Sequence, residues 1–191
     1  MRTIIKWILY IPMLIFFRVQ KYGEENIPKE GAAIICPNHI HFFDPVSIVI
    51  PMKRKLSILA KEELLEKGII RFLAKVFDGH PVKRDGSGIA AVKVALKLLK
   101  NEKALLMYPE GTRNGMAKGL KPKEGALTLA LKTGAPIIPI GIQGSFKLFT
   151  KVRVNIGKPI YYTEEHINGR TTTELTEELM QEIISLRDQT L

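Results

Sequence analysis

Short apolar runs alternate with amphipathic stretches along most of this chain, and that alternation restricts the fold more than any single residue does. Residues 32–36, 56–59, 104–108, 137–142 and 152–156 read as strands, with Pro81-Val82 as a further short one. Between them, 62–77 reads as one or two helices broken near Gly68, and 122–133 as a helix stopped by Gly134. In 87–99, Ile89, Val92, Leu96 and Leu99 fall on one helical face while Lys93, Lys97 and Lys100 form a solvated side. An acidic amphipathic helix over about 172–187 closes the chain. Strands alternating with helices predict an α/β single-domain sandwich whose central sheet is mainly parallel and flanked by helices. With 191 residues and no internal repeat, one domain with a sizeable core is expected.

In sheets of this kind ligands gather beyond the carboxyl ends of the strands. Two apolar runs end there in chemistry-bearing residues. Ala32-Ala33-Ile34-Ile35-Cys36 leads into Asn38-His39-Ile40-His41-Phe42-Phe43-Asp44. Asp44-Pro45 reads as a helix start, Asp44 as N-cap and Pro45 at the first helical position. A tight turn would lay the Asp44 carboxylate on one nitrogen of His39 and leave the other free to take a proton. That is a base and its orienting partner without an attached nucleophile. A His and an Asp five apart also arise by chance, so a loop histidine beside an N-cap is the competing reading. The second run, Lys103 to Tyr108, opens onto Pro109-Glu110-Gly111-Thr112-Arg113. Gly111 allows a sharp turn or a close ligand, and Arg113 offers a planar fork to a phosphate. Glu110 is suited to hold a guanidinium or hydrogen-bond a polar ligand.

His39-x-x-x-x-Asp44 followed by Tyr108-Pro-Glu-Gly-Thr-Arg113 resembles the glycerolipid acyltransferase family, most closely its 1-acyl-sn-glycerol-3-phosphate acyltransferases. Gly79-His80-Pro81-Val82-Lys83-Arg84 is similar to the family block that ends in a phosphate-binding arginine. Ala135-Pro136-Ile137-Ile138-Pro139-Ile140 is similar to its late apolar block, and Lys123-Glu124-Gly125-Ala126 fits its Lys-x-Gly-Ala. The resemblance covers roughly residues 22 to 160. It implies acyl transfer from an acyl-CoA or acyl-carrier-protein thioester to lysophosphatidic acid, giving phosphatidic acid, with His39 as general base and Asp44 orienting it. It also implies a phosphate clamp of Arg84 and Arg113, with Glu110, Gly111 and Thr112 shaping the loop. A thioester is already activated, so no metal or other cofactor is expected. Oxyanion donors stay open among Lys123 and backbone N–H groups near Gly141 or Gly111. Asn114 stands where many relatives have serine. Another lysophospholipid or polar acceptor, or a non-catalytic lipid-binding protein, are the alternatives.

Charge and the N-terminus bear on partners. Residues 1–158 carry 27 Lys/Arg against 12 Asp/Glu, whereas 160–191 carry 2 against 7. A basic body favours an anionic membrane surface or a phosphorylated substrate. Aromatics make up 7% and no recognition-helix, zinc or stacking-sheet signature occurs, so nucleic acid is not expected as a partner. Ile4 to Phe17 is nearly all apolar, flanked by Arg2, Arg18 and Lys21. Fourteen helical residues span about 21 Å, short of the roughly 30 Å hydrocarbon core. The expectation is a membrane-association helix over 1–21, lying in the interface with Trp7 and Tyr10 near headgroup level, and an acyltransferase domain over 22–191. A helix packed on the core is the competing reading. A single cysteine fits a reducing cytosol, hence the cytoplasmic face of the cell membrane and a monotopic attachment. Cys36 is expected to be a buried small hydrophobe and not a nucleophile, and no Gly-x-Ser-x-Gly elbow is present.

Overall fold

A computed structural model describes residues 2–66, 68–83 and 88–189. Seven strands form one sheet: β1 (Val19–Tyr22), β2 (Ala33–Pro37), β3 (Leu56–Lys61), β4 (Gly79–Val82), β5 (Ala104–Leu106), β6 (Ile137–Gly144) and β7 (Val152–Ile156). Their order across the sheet is β1-β7-β6-β2-β5-β3-β4. Every neighbouring pair is parallel except β6 and β7, which run antiparallel. The helices are α1 (Arg2–Phe17), α2 (Asp44–Val49), α3 (Gly68–Val76), α4 (Ile89–Lys100), α5 (Gly125–Thr133), α6 (Glu164–Ile167) and α7 (Thr172–Asp188). The mainly parallel α/β architecture predicted from the alternation is therefore the one adopted.

Burial on both faces explains why the central strands read as unbroken apolar runs. Ile35 of β2 points with Ile138, Ile140 and Ile142 of β6 into a core that holds Ile48, Val49 and Met52. Ile34 and Cys36 point the other way, against Ala95, Leu98 and Leu99 of α4, Leu127 and Ala130 of α5, and Leu179 and Ile183 of α7. The buried stripe of α4 is thus Ala95-Leu98-Leu99, and Ile89, placed by periodicity on that stripe, is 57% exposed in the first turn. α7 begins with a capping box in which Thr171 and Glu174 satisfy each other's backbone N–H. Gly141 admits this helix to the sheet, since a Cβ there would lie 2.1 Å from the Arg187 nitrogen.

The boundary expected between residues 21 and 22 falls inside β1, whose four residues pair in register with β7 from Val19↔Val152 to Tyr22↔Asn155. The N-terminal helix is two-faced. Ile5, Tyr10 and Phe17 pack against the core, while Trp7, Ile8, Ile11, Leu14, Ile15 and Phe16 are exposed. Tyr10 is therefore turned inward, away from the headgroup position expected for it. No helix among the described residues is long and apolar enough to cross a membrane.

At the amino ends of β3, β4 and β5, Asp78 gathers Ser57 (2.5 Å), Lys55 (2.9 Å), Lys103 (3.3 Å) and His80 (3.4 Å). Burial pushes its carboxyl up, but hydrogen bonds from Ser57, Lys55 and His80 outweigh that and hold it well below the usual carboxylate range. A depressed folded pKa contributes stability that is present above the unfolded value, near 4, and lost as pH falls towards the folded one. Asp78→Asn should cost about 1–2 kcal/mol at neutral pH. Chemical denaturation should find that difference shrinking as pH drops below about 4; a deficit independent of pH would contradict the ionic origin.

Candidate active site

β2 and β5 lie side by side, so the loops that follow them meet at one edge of the sheet. Asn38 carries the pairing of β2 with β6 one step further through its side chain. Its Nδ2 donates to the Ile142 carbonyl at 3.0 Å and its Oδ1 accepts from the Ile142 N–H at 2.6 Å. The next residue is His39, which therefore leaves from a fixed point. Its Nδ1 lies 2.7 Å from Oδ2 of Asp44, and the same oxygen accepts from the backbone N–H of Ile40 (2.6 Å) and of His41 (2.7 Å). Asp44 is fully buried. An ionised carboxylate only accepts, so the proton in the contact sits on Nδ1 and the lone pair on Nε2. Asp44 is not the N-cap. That position is Phe43, and Asp44 begins the helix with its carboxylate turned back to the preceding loop. Three upstream donors converging on one oxygen outcompete the helix's own N–H groups.

The imidazole also rests on a ring. Tyr108 stacks on His39 with centroids 4.1 Å apart and planes 28° from parallel. Burial, with the charge of Asp44 adding to it, pushes the Tyr108 hydroxyl well above its ordinary value. This support is a contact between residues 69 positions apart, carried by no local spacing in the sequence, although Tyr108 opens the motif that was read there.

Glu110 lies between the two loops. Its side chain is buried: Oε1 accepts from the His39 N–H at 2.7 Å and Oε2 from the Met116 N–H at 3.1 Å. It ties one loop to the other. The Asn114 N–H donates to the His39 carbonyl at 2.6 Å, closing a second strap. Asn114 has φ of 55°, a left-handed conformation that asparagine tolerates better than most side chains. Gly115 next to it is buried where a Cβ would meet the Glu110 carbonyl at 2.8 Å.

Thr112 and Arg113 are exposed on the outside of this strapped loop, and Arg113 makes no hydrogen bond or ion pair among the described residues. Gly111, with φ of 67°, lets the Lys123 chain cross above it, and the Lys123 N–H donates to the Pro109 carbonyl at 2.7 Å. His39, Asp44, Glu110 to Arg113 and Lys123 are therefore brought together. Gly141 serves the packing of α7, and Arg84 lies outside the described residues. Cys36 is inside β2 at 0% exposure, and burial drives its thiol far above its ordinary value. His41 stacks on Phe146 with centroids 4.8 Å apart. The arrangement offers a proton acceptor at Nε2, held in one tautomer, with the Arg113 guanidinium, unpaired among the described residues, on the exposed side of the neighbouring loop.

Comparison with known proteins agrees in fold and sequence. Residues 18–143 match the Acyltransferase family. The chain is similar to the 1-acyl-sn-glycerol-3-phosphate acyltransferase of Bacillus subtilis, at 28% identity over 179 residues, covering 90% of this chain and 89% of that one. It is similar to the enzyme of the same name from Borreliella burgdorferi at 32% identity over 171 residues, covering 87% and 68%. The crystal structure of the 1-acyl-sn-glycerophosphate (LPA) acyltransferase PlsC from Thermotoga maritima superposes with a TM-score of 0.74 at 25% sequence identity, covering 100% of this chain and 81% of that one.

If Glu110 is a strap, its loss acts first on stability. Glu110→Ala removes two charge-assisted bonds to part-buried backbone donors and should cost about 3 kcal/mol, or roughly 6–12 °C in thermal unfolding. Glu110→Gln, which can accept at only one of its two ends, should fall between. An unchanged melting temperature in the alanine variant would return Glu110 to the ligand.

Proposed function

The chain belongs to the acyltransferase family, and on that premise we propose that it transfers a fatty acyl group from an acyl thioester to the free hydroxyl of 1-acyl-sn-glycerol 3-phosphate, giving phosphatidic acid for phospholipid synthesis. The observation that carries this reading is the His39–Asp44 contact at 2.7 Å, which leaves Nε2 as the open nitrogen. His39 takes the proton of the acceptor hydroxyl as its oxygen forms a bond to the thioester carbonyl carbon. The tetrahedral intermediate then loses the thiolate as the C–S bond breaks, and the imidazolium returns the proton to sulfur. Asp44 keeps the tautomer and stabilises the imidazolium between these steps. A placed base contributes roughly 10²–10⁴ in rate, and holding two substrates in register contributes more, up to about 7–11 kcal/mol.

That second contribution falls to the phosphate clamp. Arg113, exposed and unpaired among the described residues, presents its fork to the acceptor phosphate, and the motif around Arg84 supplies a second guanidinium. Direct transfer is favoured over a covalent acyl-enzyme because the chain's single thiol is sealed in the sheet. The donor is a thioester of coenzyme A or of a carrier protein. Association with the membrane interface, on its cytoplasmic face, is part of this reading; the outward apolar face of α1 and the basic body support the interfacial contact.

Purified protein given a panel of acyl thioesters, with lysophosphatidic acid set against other lyso-acceptors, should form phosphatidic acid as the main product by mass. His39→Ala should lose at least 10²–10⁴ of that turnover and Asp44→Asn a comparable factor, whereas Cys36→Ala keeps most of it. Retained turnover in His39→Ala, or an acyl group trapped on Cys36, would overturn the mechanism.

Arg113→Ala should raise the Michaelis constant for the phosphorylated acceptor by about 10- to 100-fold, and that for the donor far less. Lysine there should recover part of the loss, because it keeps charge without the fork. Arg84→Ala should act in the same direction. Steady-state kinetics that leave the acceptor constant unchanged in both alanine variants would move the phosphate site elsewhere.

A further inference from the structure

Beyond α1, the segment between β6 and β7 exposes large apolar side chains. Leu148 is 63% exposed and Phe149 61%, at the tip of a loop that carries Lys147 and Lys151, both exposed. The tip is held in place. Thr150 Oγ1 donates to the Lys147 carbonyl at 2.7 Å, and the Phe149 N–H donates to the Phe16 carbonyl at the end of α1. The Phe149 ring lies 6.1 Å from that of Phe16.

The same loop reaches the dyad. Phe146 at its base makes a T-shaped contact with Phe17 of α1 at 5.6 Å, stacks on His41 at 4.8 Å and lies 6.1 Å from Phe43. Phe42, between His41 and Asp44, is 58% exposed. Exposed apolar side chains thus lie on α1 at Trp7, Ile8, Ile11, Ile15 and Phe16, on the loop tip at Leu148 and at Phe149 beside Phe16, and at Phe42, which joins the loop through Phe43 and Phe146. Such a patch is uncommon on a protein surrounded by water. Its cations, Arg18, Lys147 and Lys151, suit an anionic headgroup layer.

We propose that the Phe146–Lys151 loop is a second membrane-inserting element, in which Leu148 and Phe149 enter the headgroup and acyl boundary beside α1 while Lys147 and Lys151 meet anionic headgroups, seating the His39–Asp44 loop at the lipid surface. This rests on the interfacial reading of α1 and goes beyond it by assigning a second contact far away in sequence. Two contacts fix an orientation that one helix, free to roll about its axis, leaves open. Phe42 and the mouth of the site then face lipid, so an acceptor can enter from the membrane without crossing water.

The protein carries its own reporter for the first contact, since Trp7 is the chain's single tryptophan and lies on the outward face of α1. The second is read from an environment-sensitive dye on Leu148→Cys in the full chain. Cys36, at 0% exposure, does not compete for the label. With vesicles of mixed phosphatidylglycerol and phosphatidylcholine, both reporters should shift to the blue and be quenched by lipids brominated on their acyl chains. Leu148→Glu combined with Phe149→Glu should weaken vesicle binding by about tenfold or more. A Trp7 response with the dye at position 148 remaining in water overturns the loop proposal and leaves the α1 reading standing. If neither reporter responds, both fall. A dye shift that follows protein concentration without vesicles, with a doubled mass, means that a second copy covers the patch and also overturns the proposal.

Discussion

One oxygen organises the site. Oδ2 of Asp44, wholly buried, accepts from His39 Nδ1 and from the backbone N–H groups of Ile40 and His41. A buried carboxylate is costly unless several donors meet it, and here they come from a single turn of chain. The turn therefore has one shape, and with it the imidazole has one direction. Glu110 repeats the device from the neighbouring strand, binding the N–H of His39 and of Met116. The two motifs thus cross-brace each other's backbones, and each depends on the other for its geometry.

Much of this was legible in the sequence because both central strands are buried on two faces and so stand out as apolar runs. The spacing of His39 and Asp44 was legible too, since a tight turn leaves few places for the carboxylate. What escaped was tertiary. Val19–Tyr22 alternates weakly and becomes a strand only by pairing with Val152–Asn155. Glu110 reads from sequence as a residue that shapes the loop or meets a polar group, and only the fold shows that its carboxylate accepts from the N–H groups of His39 and Met116. The Tyr108 support under His39 and the fit of α7 over Gly141 are likewise long-range contacts with no local signature.

The N-terminal helix packs on the core along only part of its surface. Ile5, Tyr10 and Phe17 bury themselves on the core, and Trp7, Ile8 and Ile11 remain outside. A helix apolar on every side normally belongs inside a protein or a bilayer, and this one gives only part of its surface to the core. Phe17 links that helix to Phe43 and Phe146, so α1 and the loop that holds His39 and Asp44 share side-chain contacts.

The tautomer of His39 is the claim on which the chemistry turns. Nitrogen-resolved NMR of the histidine-labelled protein at neutral pH, with the signals of its four histidines separated by comparison with His39→Gln, reads it directly. The dyad described here requires a proton on Nδ1, sheltered from exchange by Asp44, and a proton-free Nε2; Asp44→Asn should abolish that preference. A parent protein in which Nε2 of His39 carries the proton would contradict it, because the open nitrogen would then have nothing with which to accept one.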